Sequence, residues 1–149
     1  MKIVSGKERV PLVPLIPLLR PFAPMIEMSS ACNFRCKFCP RAMDSEVKRV
    51  GFERKFMPTH MVKRCIDELC EFPKSDKPFK LYYNGMGESI IHPDFIELVE
   101  YAVAKDVFTA HIIRTNGSLF EPVFNQLIKK CEVFFFIKLS GKCPVINTP

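Results

Sequence analysis

The sequence lacks the features that would send it out of the cell or into a membrane. No secretory signal is legible at its N-terminus. The most apolar stretch, "VPLVPLIPLLRPFAP", is interrupted by Pro11, Pro14, Pro17, Pro21 and Pro24, which forbid a continuous helix, and it is too short to span a bilayer. The seven cysteines are odd in number and too few for a small secreted disulfide scaffold. Cys65, Cys70, Cys131 and Cys143 are scattered, whereas three others crowd one loop. The expectation is a cytoplasmic chain with reduced thiols, in which a dense cysteine cluster reads as metal binding. No repeat is evident, and the proline arm is the only biased segment. No RNA-binding signature accompanies the basic residues, so nucleic acid is not an expected partner.

What is present has the size and balance of one globular domain: 149 residues, 48% hydrophobic and 26% charged. The net charge of +6, from 22 basic and 16 acidic residues, permits an anionic substrate without requiring one. Much of the excess sits in "KRVGFERK", residues 48–55, which reads as a solvated loop within an aperiodic stretch from 40 to 57.

Apolar periodicity predicts strands at 25–29 ("MIEMS"), 79–83 ("FKLYY"), 109–115 ("TAHIIRT") and 133–139 ("VFFFIKL"). Three helices fall between them. The first opens at Pro58 and Thr59 and presents Val62, Cys65, Ile66 and Leu69. The second has Pro93 in its first turn and presents Phe95, Leu98, Val99 and Ala102. The third begins at Glu121 and Pro122 and presents Phe124, Leu127, Ile128 and Cys131. Strand and helix alternate, which implies an α/β fold with a parallel sheet of about four strands and three right-handed crossovers. The distinctive loops all follow strands: cysteines after the first, "NGMGES" after the second, Asn116-Gly117 after the third. They are expected together at the carboxyl edge of the sheet.

Cys32, Cys36 and Cys39 lie in "CNFRCKFCP" with no fourth cysteine nearby. A structural zinc site needs four ligands, and His60 or His92 could complete one. The spacing is neither that of a zinc ribbon nor that of a ferredoxin, which supplies four cysteines to a cluster. Three thiolates can instead hold three irons of a cubane and leave the fourth open to a substrate or cofactor.

"CNFRCKFC" resembles the C-x-x-x-C-x-aromatic-C signature of the radical S-adenosylmethionine (radical SAM) superfamily, with Phe38 in the aromatic position. The family's Gly-Gly-Glu-Pro-like stretch after the second strand is matched by Gly85-Met86-Gly87-Glu88-Ser89, with Met86 and Ser89 as departures. Its Thr-Asn-Gly is matched by Thr115-Asn116-Gly117. "IKLSG" is similar to its fourth-strand element, with Lys138 near a common arginine and Ser140 a candidate contact for the SAM carboxylate or ribose.

The resemblance spans roughly residues 24 to 141 and is nearest to SPASM-type peptide-modifying enzymes. It implies a partial (βα) barrel core over 24–141, a proline-rich arm over 1–23 and an irregular tail over 142–149. It implies a 4Fe-4S cluster on Cys32, Cys36 and Cys39, and SAM held by Phe38, Gly85, Met86, Gly87, Glu88, Thr115, Asn116 and Ser140. Glu88 and the loop backbone would meet the SAM amino group. A flavodoxin- or ferredoxin-type reductant would supply one electron. SAM would then be cleaved to methionine and a 5'-deoxyadenosyl radical that takes a hydrogen atom from an unknown peptide or small molecule. The family's complete barrel has six βα units, so a chain with four strands is expected to be a fragment, a truncated product or a short form. Two alternatives stand beside the enzyme: a non-catalytic fragment needing a partner, and a zinc- or nucleic-acid-binding module.

Overall fold

Short apolar runs separated by amphipathic helices bury themselves by pairing side by side under those helices. A computed structural model describes residues 13, 16–36, 39–40, 44–49, 51, 53–75, 79–119, 123, 125–126 and 135–139. Its strands are β1 (Met25–Ile26), β2 (Lys80–Tyr83), β3 (Ala110–Thr115) and β4 (Phe135–Leu139). They form one sheet in that order, and every pair is parallel. Ile26 stands opposite Tyr83, and Tyr83 opposite Ile113. Leu81 stands opposite His111. This register gathers Ile26, Leu81, Tyr83, His111 and Ile113 on one face, all buried.

Two helices cover that face. They are α2 (Thr59–Cys70) and α3 (Phe95–Ala104), the shorter α1 being Asp44–Arg49. Val62 and Ile66 of α2 are buried, with Cys65 and Leu69 half-buried against the same core. The expected quartet of α3, Phe95, Leu98, Val99 and Ala102, is buried throughout. Thr59 donates to the carboxylate of Asp94, Lys63 pairs with Glu97 at 2.6 Å, and Tyr101 donates to Asp67 at 2.8 Å, so the helices are tied along their length.

Beyond one-residue shifts at the starts of β2 and β3, three boundaries differ from the sequence reading. β1 stops at Ile26 rather than Ser29. The chain there turns to pair with residues 55–57: Met57 donates to the Met28 carbonyl and Ser30 to that of Lys55, both at 2.9 Å. Ser29 and Phe56 form an antiparallel bridge. The stretch read as loop therefore contains a partner segment for 28–30 and the one-and-a-half-turn helix α1, where the charged residues obscure the period. Pro93 lies one residue before the Asp94 cap instead of inside α3, because a 3-10 turn at Ser89–Ile91 occupies the chain first. The third helix falls mainly outside the described residues, as do Cys131, Cys143 and the arm before residue 13. The described lead-in packs along β2. Phe22 and Pro24 carbonyls accept from Lys80 and Tyr82 at 3.3 and 3.0 Å, and the Arg20 guanidinium lies 4.7 Å from the Phe79 ring centre. Among the described residues no helix is long and apolar enough to cross a membrane.

His111 is a structural histidine. It is 1% exposed and stacked on Tyr83 with ring centres 5.7 Å apart, and its Nδ1 lies 2.6 Å from the Tyr83 hydroxyl. Burial pushes its pKa down to about 4, so the ring is neutral and the hydroxyl donates to it. The folded value lies below the unfolded one near 6.5. Stability is therefore complete above pH 6.5 and lost as pH falls from there towards 4, where the unfolded chain takes up a proton the folded chain refuses. Urea titrations are expected to show a loss of about 3 kcal/mol over that window, a fall that shrinks in His111→Gln. An identical pH profile in the variant would show that His111 is not the group responsible.

Candidate functional site

Because the strands are parallel, the segments after β1, β2 and β3 leave the sheet at the same edge. They are joined there by contacts that depend on residue type. Gly87 is pressed against the chain that leads into Cys32: a Cβ on it would lie 2.1 Å from the Ser29 carbonyl oxygen and 2.4 Å from that of Ala31. The next N–H, of Glu88, donates to the Ala31 carbonyl at 2.8 Å. Gly85 lies nearly as close to Glu27, whose Cγ and Cδ would be 2.4 Å from an added Cβ. The Glu27 carboxylate accepts from the Met86 N–H at 2.6 Å.

Glu88 is 4% exposed. Its Oε2 accepts from the Asn116 N–H at 2.7 Å and its Oε1 from the Ile90 N–H at 3.5 Å, capping the 3-10 turn. In this arrangement the carboxylate binds the second loop to the third instead of facing outward. Asn116 carries the connection on to the cysteines. Its Nδ2 donates to the Asn33 side chain at 2.8 Å and lies 3.9 Å from the Cys32 sulfur. Its Oδ1 accepts from the Ser118 N–H at 3.0 Å, and Asn33 donates to the Ser118 hydroxyl at 2.6 Å. Thr115 is buried and accepts from the Gly117 N–H at 3.1 Å, while Gly117 takes φ 85°, a left-handed conformation suited to glycine.

None of Cys32, Cys36 and Cys39 is in a disulfide, and each is half-buried. The Cys32 sulfur also accepts from the Phe34 N–H at 3.4 Å, and Cys39 donates to the Cys36 carbonyl at 2.9 Å in a turn. Thus Cys32, Gly85, Gly87, Glu88, Thr115 and Asn116 are linked at one edge, with Met86 half-exposed beside them. Phe38 and Ser140 lie outside the described residues. Glu27 and Asn33 complete the set. Glu27 is legible in the sequence as a charge inside an apolar strand, whereas nothing in the spacing marks Asn33.

Among the described residues neither candidate histidine gathers with the cysteines into a group of ligands. His92 is buried: its Nε2 donates to the Met57 carbonyl at 2.9 Å and its Nδ1 accepts from the Asp94 N–H at 3.1 Å, so both nitrogens hold structure. It therefore joins the core and not the site. His60 is exposed on α2. Cys70 packs against the core, and burial pushes its thiol pKa up, which makes it a poor ligand. A groove of about 420 Å³ between β1 and α2 is walled largely by Met25, Ile26, Met57, Leu69 and Phe72, and meets the site only at Glu27. Its lining is mostly apolar, with Glu27 and Glu68 as its acids and none of the three clustered cysteines, so the chemistry is assigned to the loops.

The donor set suits an iron-sulfur cluster. Three thiols share one loop, none is in a disulfide, and N–H groups approach Cys32 as they do cluster-bound sulfurs. Among the described residues no trio of ligand side chains is drawn together around a point. Convergence of such loops ordinarily accompanies metal binding.

Comparison with known proteins points to one family. The model of the radical SAM superfamily matches residues 26–140. Mycofactocin maturase MftC of Mycobacterium tuberculosis is 34% identical over 123 residues, covering 81% of this chain and 28% of that protein. A "tungsten-containing aldehyde ferredoxin oxidoreductase cofactor-modifying protein" of Pyrococcus furiosus is 30% identical over 94 residues, 63% of this chain and 23% of its own length. The chain thus spans under a third of these relatives. The solved structure of BtrN in complex with AdoMet and 2-DOIA superposes with a TM-score of 0.61 at 20% identity, over 82% of this chain and 47% of that one, a likeness of fold.

Proposed function

The chain belongs to the radical SAM superfamily, and we propose that it is the cluster- and SAM-binding part of a radical SAM enzyme. The observation that carries this reading is the continuous run of contacts at the sheet edge: Gly87 on Ser29 and Ala31, Glu88 to Asn116, and Asn116 to Cys32. Cys32, Cys36 and Cys39 are the thiolate ligands of a 4Fe-4S cluster. The backbone of Gly85, Met86 and Gly87 receives the amino group of SAM. Thr115 and Asn116 shape the neighbouring wall, with Phe38 and Ser140 as its further contacts. When bound, the cluster and SAM supply reductive cleavage of a sulfonium bond to methionine and a 5'-deoxyadenosyl radical, which abstracts hydrogen from the substrate.

Residues 24–141 form the functional core, preceded by an arm over 1–23 and followed by a tail over 142–149. The relatives named as a maturase and as a cofactor-modifying protein support a peptide or a small cofactor precursor as substrate, with a flavodoxin- or ferredoxin-type protein as reductant. Anaerobic reconstitution with iron and sulfide, followed by SAM and dithionite, is expected to yield a brown protein that releases 5'-deoxyadenosine and methionine in equal amounts. Uptake of zinc without any cluster would overturn the reading. A cluster without 5'-deoxyadenosine would reduce it to cofactor binding.

A further inference from the structure

We propose that Glu27 is a positioning residue that aims the SAM-binding loop, and this inference rests on the cofactor reading above. Two independent contacts connect them. Glu27 Oε1 accepts from the Met86 N–H at 2.6 Å, a charge-assisted bond. Its side chain also fills the space where Gly85 would carry a Cβ, with Cγ and Cδ 2.4 Å and Cβ 2.7 Å from that point. The carboxylate and the glycine are therefore matched: one supplies an acceptor at close range, and the other alone permits the approach.

The consequence follows from the planarity of the peptide. The Gly85–Met86 bond is trans, the described residues having their cis bond at Ile16–Pro17. In a trans peptide the carbonyl points opposite to the N–H of the same plane. Holding the Met86 N–H on Glu27 therefore turns the Gly85 carbonyl away from β1. An ammonium group is bound by oxygen acceptors, so the aim of that carbonyl decides how well the SAM amino group is received. Glu88, the other acid of this edge, has its oxygens on the Asn116 and Ile90 N–H groups, so it anchors the far end of the same loop. Glu27 and Glu88 hold the two ends between them.

The test is the dissociation constant of SAM on the cluster-loaded chain, without reductant, together with iron content. Glu27→Ala is expected to weaken SAM about tenfold, the size of one lost hydrogen bond to a charged group, while iron content is unchanged. Glu27→Gln keeps an acceptor oxygen and is expected to stay within about threefold of wild type. Gly85→Ala, which forces the loop off Glu27, is expected to weaken SAM as Glu27→Ala does. The double variant should be no weaker than either single one, because the two changes break the same contact. Wild-type affinity in Glu27→Ala would overturn the proposal and leave the cofactor reading standing. Equal weakening in Glu27→Gln and Glu27→Ala would overturn it too, because the charge would then be acting on SAM directly. Should Glu27→Ala fail to take up iron, Glu27→Asp decides, because its shorter side chain falls short of the Met86 N–H: wild-type affinity overturns the proposal, and weakened affinity with full iron upholds it. A wild-type chain that holds a cluster but never binds SAM would sink both readings.

Discussion

Cys36→Ala, reconstituted anaerobically beside the wild type, is expected to hold iron at background level and to show none of the visible charge-transfer absorption of a cubane. The effect is all-or-none because the loop offers three cysteine sulfurs, one for each of three irons. His92 has both ring nitrogens occupied, and Cys70 sits against the core with its thiol held protonated by burial. Among the described residues, neither His92 nor Cys70 is set to replace a lost thiolate. Cys65→Ala and Cys70→Ala are the controls. Both positions lie on α2, half-buried against the hydrophobic core, and their variants should load iron as the wild type does. The metal-free fold should barely notice Cys36→Ala, since this side chain is half-exposed. Full iron loading in all three single variants, Cys32→Ala, Cys36→Ala and Cys39→Ala, would remove the cluster from this loop.

Gly87→Ala is expected to destabilise the metal-free chain by about 4 kcal/mol, a drop in melting temperature of about 12 °C, and to impair cluster loading as well. The added Cβ would meet the Ser29 carbonyl oxygen at 2.1 Å, its carbon at 2.8 Å and the Ala31 carbonyl oxygen at 2.4 Å. These are backbone atoms, which cannot rotate aside as a side-chain tip can. Relief requires moving the second loop or the segment that enters Cys32, and either movement breaks the bond from Glu88 to Ala31. Gly51 provides the contrast. It takes φ +63° but has nothing within 4 Å of an added Cβ, so Gly51→Ala should cost only about 1 kcal/mol, the strain of a left-handed alanine. Equal melting temperatures for the two variants would mean that the close packing at Gly87 does not limit stability.

Much of the fold was legible because its periodicities are strong. The faces of α2 and α3 follow from apolar residues three and four apart, and β2 and β3 from short aromatic and β-branched runs. What escaped the sequence was the set of partners. Nothing in "MIEMS" says that the strand ends at Ile26, since residues 28–30 bond to a segment some 27 positions away. By residue type His92 could complete a zinc site, yet its nitrogens are claimed by Met57 and Asp94. Nothing local says that the Glu88 carboxylate accepts from the Asn116 and Ile90 N–H groups. These are contacts between elements, and local spacing carries no information about them.

By itself the amino-acid sequence determined the chemistry on offer: three sulfurs crowded on one loop, two small-residue loops, and an alternation of elements that sends them all to one edge. Those are local properties, written in residue type and separation. Tertiary structure alone decided which acid anchors which loop, that Asn116 reaches Cys32, and that Glu27 lies against Gly85. Such facts depend on how strands 30 to 90 residues apart are brought into register, and that is settled only when the sheet and its covering helices pack together.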